Sequence, residues 1–183
     1  TYTGDTNINA GTLTLTGALA TATDVVMTNT AIWDLQAAQT IASLTMASGN
    51  SITNTTGTSS LTVSGASTLA KSITTTGTQT YTGAVTLGAD VVLTSSNSNI
   101  TFAAAITGSG KDLTVSTGSG AITLANVGTS AASLGDVVLN SSGATTLGGA
   151  VYAASLETDS SGTGAGTIAI NGGLVQTTGT QTY

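Results

Sequence analysis

The acidic residues are the side chains whose type and spacing first suggest chemistry. Four aspartates open similar short phrases along the chain: Asp24, Asp90, Asp112 and Asp136. Hard cations such as Ca²⁺ prefer several clustered carboxylate oxygens, so a calcium site is one interpretation. Each aspartate, however, stands without a second acid close in sequence, and the Gly-Gly-x-Gly-x-Asp loop of calcium-binding solenoids is absent. We therefore favour a structural role, in which each aspartate starts a strand and accepts hydrogen bonds from the local backbone.

Catalysis would have to use acids outside that pattern, and the candidates are Asp34, Glu157 and Asp159. Strand alternation places Glu157 and Asp159 on one strand face, and paired carboxylates are the minimum for glycoside hydrolysis. The chain has no histidine, and its only basic side chains are Lys71 and Lys111, which we assign to solvated turns. General bases and cationic clamps are therefore scarce. We expect no enzymatic activity and no catalytic, cofactor-binding or metal-binding residues.

Two further features invite a binding role. Trp33 is the single tryptophan and could contact a sugar or a neighbouring filament, but a lone tryptophan on an alternating strand more often fills the core. Thr-x-Thr pairs suggest an ice-binding array, yet none occurs from Ala84 to Gln176. A flat recognition face would need such a pair in every turn. We therefore interpret Trp33 as core and the threonines as ordinary strand residues.

The elements that would position these residues recur at a nearly constant spacing. A small residue followed by alternating apolar positions begins at Ser98 and returns at Gly120, Gly143 and Gly166. Alternation of this kind is typical of a strand. Strands that recur about every 22 residues without a helical pattern between them indicate a solenoid.

Each turn in this half contains three predicted strands. The first begins with an aspartate at 90–93, 112–115 and 136–139, the second is the phrase given above, and the third is at 104–106, 125–127, 149–151 and 173–175. Turns rich in Ser, Asn and Gly separate the first two strands, at 95–97, 117–119, 141–142 and 160–162.

The first half shows the same kind of pattern less regularly. Strands are predicted at 11–15, 24–27, 32–35, 43–46, 60–63 and 83–87. The interval from Asp24 to Asp90 equals three periods of the later half, so we place both aspartates on the same strand position. The prediction is an all-β chain folded as a single-stranded parallel β-helix, or β-solenoid, of roughly 8 turns of about 22 residues. It forms one continuous unit over residues 1–183 and spans about 40 Å.

Composition agrees with a narrow solenoid and excludes several functions. Aromatic residues make up 3% of the chain and charged residues 5%, too few of either for an ordinary globular core and surface. A mean hydropathy of +0.33 argues against disorder. The net charge of −6 argues against a nucleic-acid partner, and no apolar run reaches membrane-spanning length. The absence of cysteine suits a protein that stays unfolded during export.

A longer repeat is also present. The phrase Thr-Gly-Thr-Gln-Thr-Tyr ends at Tyr81 and again at Tyr183, and its last two residues recur at Thr1 and Tyr2. The recurrence of one motif around Tyr2, Tyr81 and Tyr183 predicts a stacking or turn-locking role. We expect the chain to be a segment of a longer repeat array.

The opening stretch resembles the passenger-associated transport repeat of autotransporters. The match covers about fifteen residues, at 1–15, and includes Tyr2-Thr3-Gly4, Ile8 and the Ala-Gly-Thr-Leu phrase at 10–13. The remainder is similar to the repeats of filamentous-haemagglutinin-like exoproteins of two-partner secretion. Both resemblances imply a right-handed parallel β-helix that crosses a Gram-negative outer membrane through a transporter and is displayed at the cell surface or secreted. They imply adhesion, aggregation or biofilm formation.

The sequence thus favours a structural stalk of a bacterial surface adhesin, without catalysis or cofactors. Two alternatives stay open: an extracellular filament subunit that associates head to tail, and a β-helix module that binds a glycan or a receptor protein. The expected partners are neighbouring repeats or subunits, the outer-membrane transporter, and host or bacterial surface molecules. Neither nucleic acid nor membrane insertion is expected.

Overall fold

The computed structural model describes residues 4–159 and 166–183. All regular structure within them is β-strand, and every strand pairing there is parallel. The strands stack as a β-solenoid of about 8 turns with about 21 residues per turn, which confirms the predicted fold class. The turn predicted at 160–162 and the residues Thr1, Tyr2 and Thr3 lie outside the described residues.

Three faces make up each turn. The first contains β1 (Thr6–Ile8), β3 (Asp24–Met27), β6 (Ser43–Met46), the start of β9 (Ser67–Thr75), the start of β11 (Val85–Ser95), β13 (Ile106–Thr107), the start of β18 (Val151–Thr158) and β20 (Val175–Thr177). The second contains β2 (Thr12–Leu15), β4 (Ile32–Leu35), β7 (Ser51–Thr53), the ends of β9 and β11, β14 (Leu113–Gly118), most of β16 (Leu134–Ser141), the end of β18 and β21 (Gln181–Thr182). The third contains β5 (Gln39–Ile41), β8 (Leu61–Val63), β10 (Gln79–Tyr81), β12 (Ile100–Phe102), β15 (Ile122–Leu124), β17 (Thr145–Leu147) and β19 (Ile168–Ile170).

The first two faces form one continuous sheet because several strands run around the corner between them. Strands β9, β11, β16 and β18 pair on both faces, so the sheet contains 14 strands, whereas the third face is a separate sheet of 7. The three strands predicted for each turn after Asp90 occupy these three faces. The strands predicted in the first half are also present, but β1, β5, β7, β9 and β10 were not predicted.

The placement of Asp24 was wrong. Asp24 begins β3 on the first face, whereas Asp90, in β11, lies where the second face begins. The turns that separate them are shorter than those of the second half. Three turns after Val25, the residue at the same place in the first-face ladder is Val85. A constant period of about 22 residues would have placed Val91 there. Val91 already lies on the second face, so the constant period assigned Asp24 to the wrong one.

The core is a column of apolar side chains that fills the space between the three faces. Inward positions alternate with outward ones, as in β12 and β15, where both ends of the strand are buried and the middle residue is partly exposed. Tyr81 and Phe102 stack on consecutive turns with ring centroids 4.9 Å apart. Because each turn buries its apolar side chains against its neighbours, stability accumulates from turn to turn.

Corners are tight where glycines of successive turns lie over each other. A Cβ atom added at Gly83 would overlap the backbone carbonyl of Gly65 on the preceding turn and lie 2.8 Å from the nitrogen of Ala66. Backbone atoms of a ladder cannot move aside without breaking its hydrogen bonds. This corner therefore requires a residue without a side chain.

We predict that Gly83→Ala lowers the free energy of unfolding by about 2 kcal/mol, because overpacking forces the two turns apart. Urea unfolding followed by far-ultraviolet circular dichroism measures the change. The matched control is Gly17→Ala, since a Cβ at Gly17 meets nothing within 4 Å, and it should stay within about 0.5 kcal/mol of wild type. Equal effects of the two substitutions would contradict the close approach at Gly83.

Candidate functional site

Three of the four aspartates that suggested a calcium site, Asp90, Asp112 and Asp136, form a column along one corner of the solenoid. The carboxylate of Asp90 accepts a hydrogen bond from the backbone nitrogen of Asp112 at 3.1 Å, and the carboxylate of Asp112 accepts one from the nitrogen of Asp136 at 2.8 Å. Asp136 in turn accepts the hydroxyl of Ser155 at 2.7 Å. The predicted role as backbone acceptors is confirmed for Asp90 and Asp112, although their donors belong to the next turn, whereas Asp136 accepts a serine hydroxyl instead.

This arrangement explains how like charges are tolerated one turn apart. The carboxylates of Asp90 and Asp112 each face a backbone N–H, and that hydrogen bond offsets the repulsion between neighbouring aspartates. Asp24, on the other face, accepts the hydroxyl of Ser43 at 2.5 Å, as Asp136 accepts that of Ser155. The residues that the structure describes hold no group of three or more acids, histidines or cysteines placed to bind one metal ion.

Asparagine side chains at other corners also accept hydrogen bonds from the backbone of the next turn. The side-chain oxygen of Asn97 accepts the nitrogen of Ser119 at 3.1 Å, that of Asn99 accepts Ala121 at 2.8 Å, and that of Asn126 accepts Ala150 at 2.9 Å. All three bonds join one turn to the next. Polar residues at the corners therefore continue the ladder where strand pairing stops.

The three acids considered for catalysis are not brought together. Asp34 lies in β4, whereas Glu157 lies in β18, six steps further along the second face, which is roughly 29 Å at strand spacing. Glu157 and Asp159 are both partly exposed, as outward positions on one strand face should be. Asp159 accepts the backbone nitrogen of Ser141 at 3.2 Å and has a left-handed backbone, with φ of 60°, so it serves a corner.

Asp34 is the one carboxylate in the described part of the chain that is almost completely covered, at 4% exposure. One oxygen accepts the Thr55 hydroxyl and the Gln36 amide, both at 2.7 Å, and the other accepts the Thr55 backbone nitrogen at 2.9 Å. Burial by itself raises the pKa of Asp34. The hydrogen bonds from Thr55 and Gln36 outweigh burial, so the pKa lies below its ordinary value of 3.8.

We predict that Asp34 makes part of the stability depend on pH. Because its pKa is lower in the folded chain, its contribution is complete above about pH 4 and is lost as the pH falls through the folded-state pKa. Urea midpoints measured from pH 7 down to pH 2 should therefore fall less steeply for Asp34→Asn than for wild type. Thr55→Val removes one donor and should give an intermediate slope. A wild-type slope in Asp34→Asn would contradict this role.

Trp33 lies in the core, as predicted. It is 0% exposed, and its indole nitrogen has no hydrogen-bond partner. A buried ring cannot contact a sugar or a neighbouring filament. The binding alternative therefore loses the residue on which it was based.

The threonines form a pattern that a search for Thr-x-Thr pairs missed. Six of them stack as one outward column along the third face: Thr40, Thr62, Thr80, Thr101, Thr123 and Thr146. The signal in the sequence was one threonine per turn at the centre of each third-face strand. A β-branched residue suits a partly exposed ladder position, which accounts for the column without a ligand.

The two described copies of the tyrosine phrase adopt the same local structure. We call residues 75–81 and 177–183 the Thr-Gln-Thr-Tyr corners. In the first, the amide nitrogen of Gln79 donates to the Thr75 hydroxyl at 3.2 Å, and the Tyr81 hydroxyl donates to the amide oxygen of Gln79 at 3.1 Å. In the second, Gln181 and Tyr183 make the equivalent bonds at 3.2 and 2.9 Å. The predicted turn-locking role is confirmed at both copies.

The surroundings of the two corners differ. Tyr81 is fully buried, and burial raises the pKa of its hydroxyl, so it remains a neutral donor. Gln79 also donates to the carbonyl of Thr94 on the next turn at 2.9 Å. Tyr183, in contrast, is 54% exposed. Gln181 and Tyr183 lie in the last turn that the structure describes, and no described turn packs over them.

Comparisons with family models, curated proteins and solved structures returned no match. In the described part of the chain, no helix has the length and hydrophobicity needed to cross a bilayer.

Proposed function

We propose that this chain is a non-catalytic stalk or filament segment of a bacterial adhesin-type protein that is secreted or exposed at the cell surface. The observation that carries the proposal is the parallel ladder that stacks turn on turn from Thr6 to Thr182, with one apolar column along it. Such a body is stiff, and it lengthens by about 4.8 Å with every turn that is added. These properties suit a part that holds something else away from a surface.

The hydrogen bonds of the polar side chains support this proposal. Asp90, Asp112 and Asp34 all accept hydrogen bonds that join one turn to the next. In an enzyme such carboxylates could act in catalysis. In this chain they hold successive turns of the solenoid together. The resemblance of the opening stretch to an autotransporter repeat adds the expected route, which is export through an outer-membrane transporter.

The decisive experiment uses the parent gene in its own bacterium. An antibody raised against this segment should label intact, non-permeabilised cells or the culture medium. Deleting the segment in frame should reduce adhesion, cell aggregation or biofilm formation. Labelling that appears only after permeabilisation would overturn the proposal.

A replacement experiment separates a stalk from a specific binding role. An unrelated β-solenoid of equal length, inserted in place of the segment, should restore adhesion because a stalk acts through length and stiffness. A flexible Gly/Ser linker with the same number of residues should not. Electron microscopy of the isolated chain should show short rods of about 40 Å, whereas persistent filaments would instead indicate self-assembly.

A further inference from the structure

The outward column of the first face contains a notch at its seventh turn. The pairing of Ile106 with Val127 and of Val127 with Val151 places Gly128 between Thr107 and Tyr152 in this column. Gly128 has no side chain, and its left-handed φ of 64° favours glycine. The column is therefore interrupted between a hydroxyl group on one side and an aromatic ring on the other.

A short loop forms one wall of this notch. The chain leaves the first face after Val127 and returns at Leu134, and the backbone groups of Thr129 and Ala132 bond each other in both directions at 3.1 Å. The Thr129 hydroxyl also accepts the nitrogen of Ala132 at 3.1 Å. These bonds fix the loop, so the wall is preformed.

The result is a cleft with a volume of about 310 Å³, near the lower end for small-molecule sites. It is lined by Ala105, Thr107, Asn126, Ala150 and Tyr152 together with the loop residues. Asn126 is held in place because its side-chain oxygen accepts the nitrogen of Ala150. Its amide N–H groups are thereby left as donors at the cleft.

The chemistry of the lining selects the class of ligand. It combines one half-buried aromatic ring with hydroxyl groups and one amide, and none of the lining residues is charged. A tyrosine offers an apolar face and a polar edge, which suits a ring that has C–H groups on its faces and hydroxyls on its rim. We propose that this cleft binds a neutral saccharide, with one sugar ring stacked on Tyr152.

In this arrangement the residues have distinct roles. The Tyr152 ring covers one face of the sugar, the Asn126 amide donates to a sugar hydroxyl, and the hydroxyls of Thr107 and Ser130 donate or accept at the rim. An anionic sugar would find no cation in the lining. The small volume fits a mono- or disaccharide unit, as in a glycan chain that crosses the solenoid.

The test is a titration of the intact chain with four neutral disaccharides: cellobiose, maltose, lactose and diacetylchitobiose. We expect at least one to bind with a dissociation constant of about 1 mM. Amide chemical shifts should change at 126–130 and at Tyr152, and not in the third face. If none of the four binds below about 10 mM, or the shifts change elsewhere, the proposal is overturned.

Variants assign the binding to the ring. Tyr152→Leu should weaken binding about tenfold, whereas Tyr152→Phe should leave it within about threefold. The matched control is Thr101→Ala, which lies in the outward column of the third face and outside the cleft, and it should bind like wild type. Unchanged affinity in Tyr152→Leu would overturn the assignment. Because the shift mapping uses wild-type protein, the test holds even if one variant folds poorly.

Discussion

Replacing Trp33 with alanine is expected to lower the free energy of unfolding by about 4 kcal/mol, because it leaves a large cavity in a core that the neighbouring turns cannot close. Trp33 is 0% exposed and lies between Leu13 and Ile52 on the adjacent turns of the second face. Urea unfolding followed by far-ultraviolet circular dichroism measures the loss.

Two further variants separate cavity formation from other effects. Trp33→Phe keeps most of the ring volume and removes an indole N–H that has no partner, so it should lose less than half as much stability. Val92→Ala changes a residue of the same face that is 45% exposed, and it should stay within about 0.5 kcal/mol of wild type. A Trp33→Ala chain as stable as wild type would contradict the core position.

Gln79→Ala should destabilise the chain by about 3 kcal/mol, because it leaves several buried polar groups without partners. The amide of Gln79 donates to the carbonyl of Thr94 at 2.9 Å and to that of Ile73 at 3.3 Å, and its oxygen accepts the Tyr81 hydroxyl. Inside the solenoid no water can replace these bonds.

The matched control for this prediction lies in the chain itself. Gln181→Ala removes the equivalent bonds to Val175 and Tyr183 in the second Thr-Gln-Thr-Tyr corner, where the residues are exposed. Water can satisfy the groups left behind, so the cost should be under about 0.5 kcal/mol. Both chains can be compared by the urea midpoint of the Trp33 fluorescence. Similar losses in the two variants would show that burial is not the source of the effect.

The strands in the second half of the chain could be predicted from the sequence because its turns repeat one pattern closely. The phrases that begin at Ser98, Gly120 and Gly143 became the third-face strands β12, β15 and β17. In β12 and β15 the apolar positions alternate with outward ones, and in β17 the same alternation buries Thr145 and Leu147. A regular period and a regular alternation were therefore enough to predict both the strands and their stacking.

The first half was harder to place because its turns vary in length. Val25 pairs with Leu44, Leu44 with Ser67, and Ser67 with Val85, and the middle interval is longer than the other two. The ladder absorbs this variation in its corners, where the chain can gain or lose residues without disturbing the strands. A fixed period cannot follow such changes, and for this reason it moved Asp24 to the wrong face.

Contacts between turns were beyond what the pattern could give. The aspartate at 90 could be assigned to a strand start, but its donor at 112 depends on how the next corner is placed. The acceptors of Gln79 depend on the same information. The notch at Gly128 arises from a loop whose sequence, Gly128-Thr129-Ser130, looks like any other turn in this chain.

The two Thr-Gln-Thr-Tyr corners lie at different angles around the long axis of the solenoid. The first lies between the second and third faces, and the other lies between the first and second. Identical residues therefore reappear after four revolutions and two faces, a change in azimuth of about 240°. Features attached to the two corners would point in different radial directions.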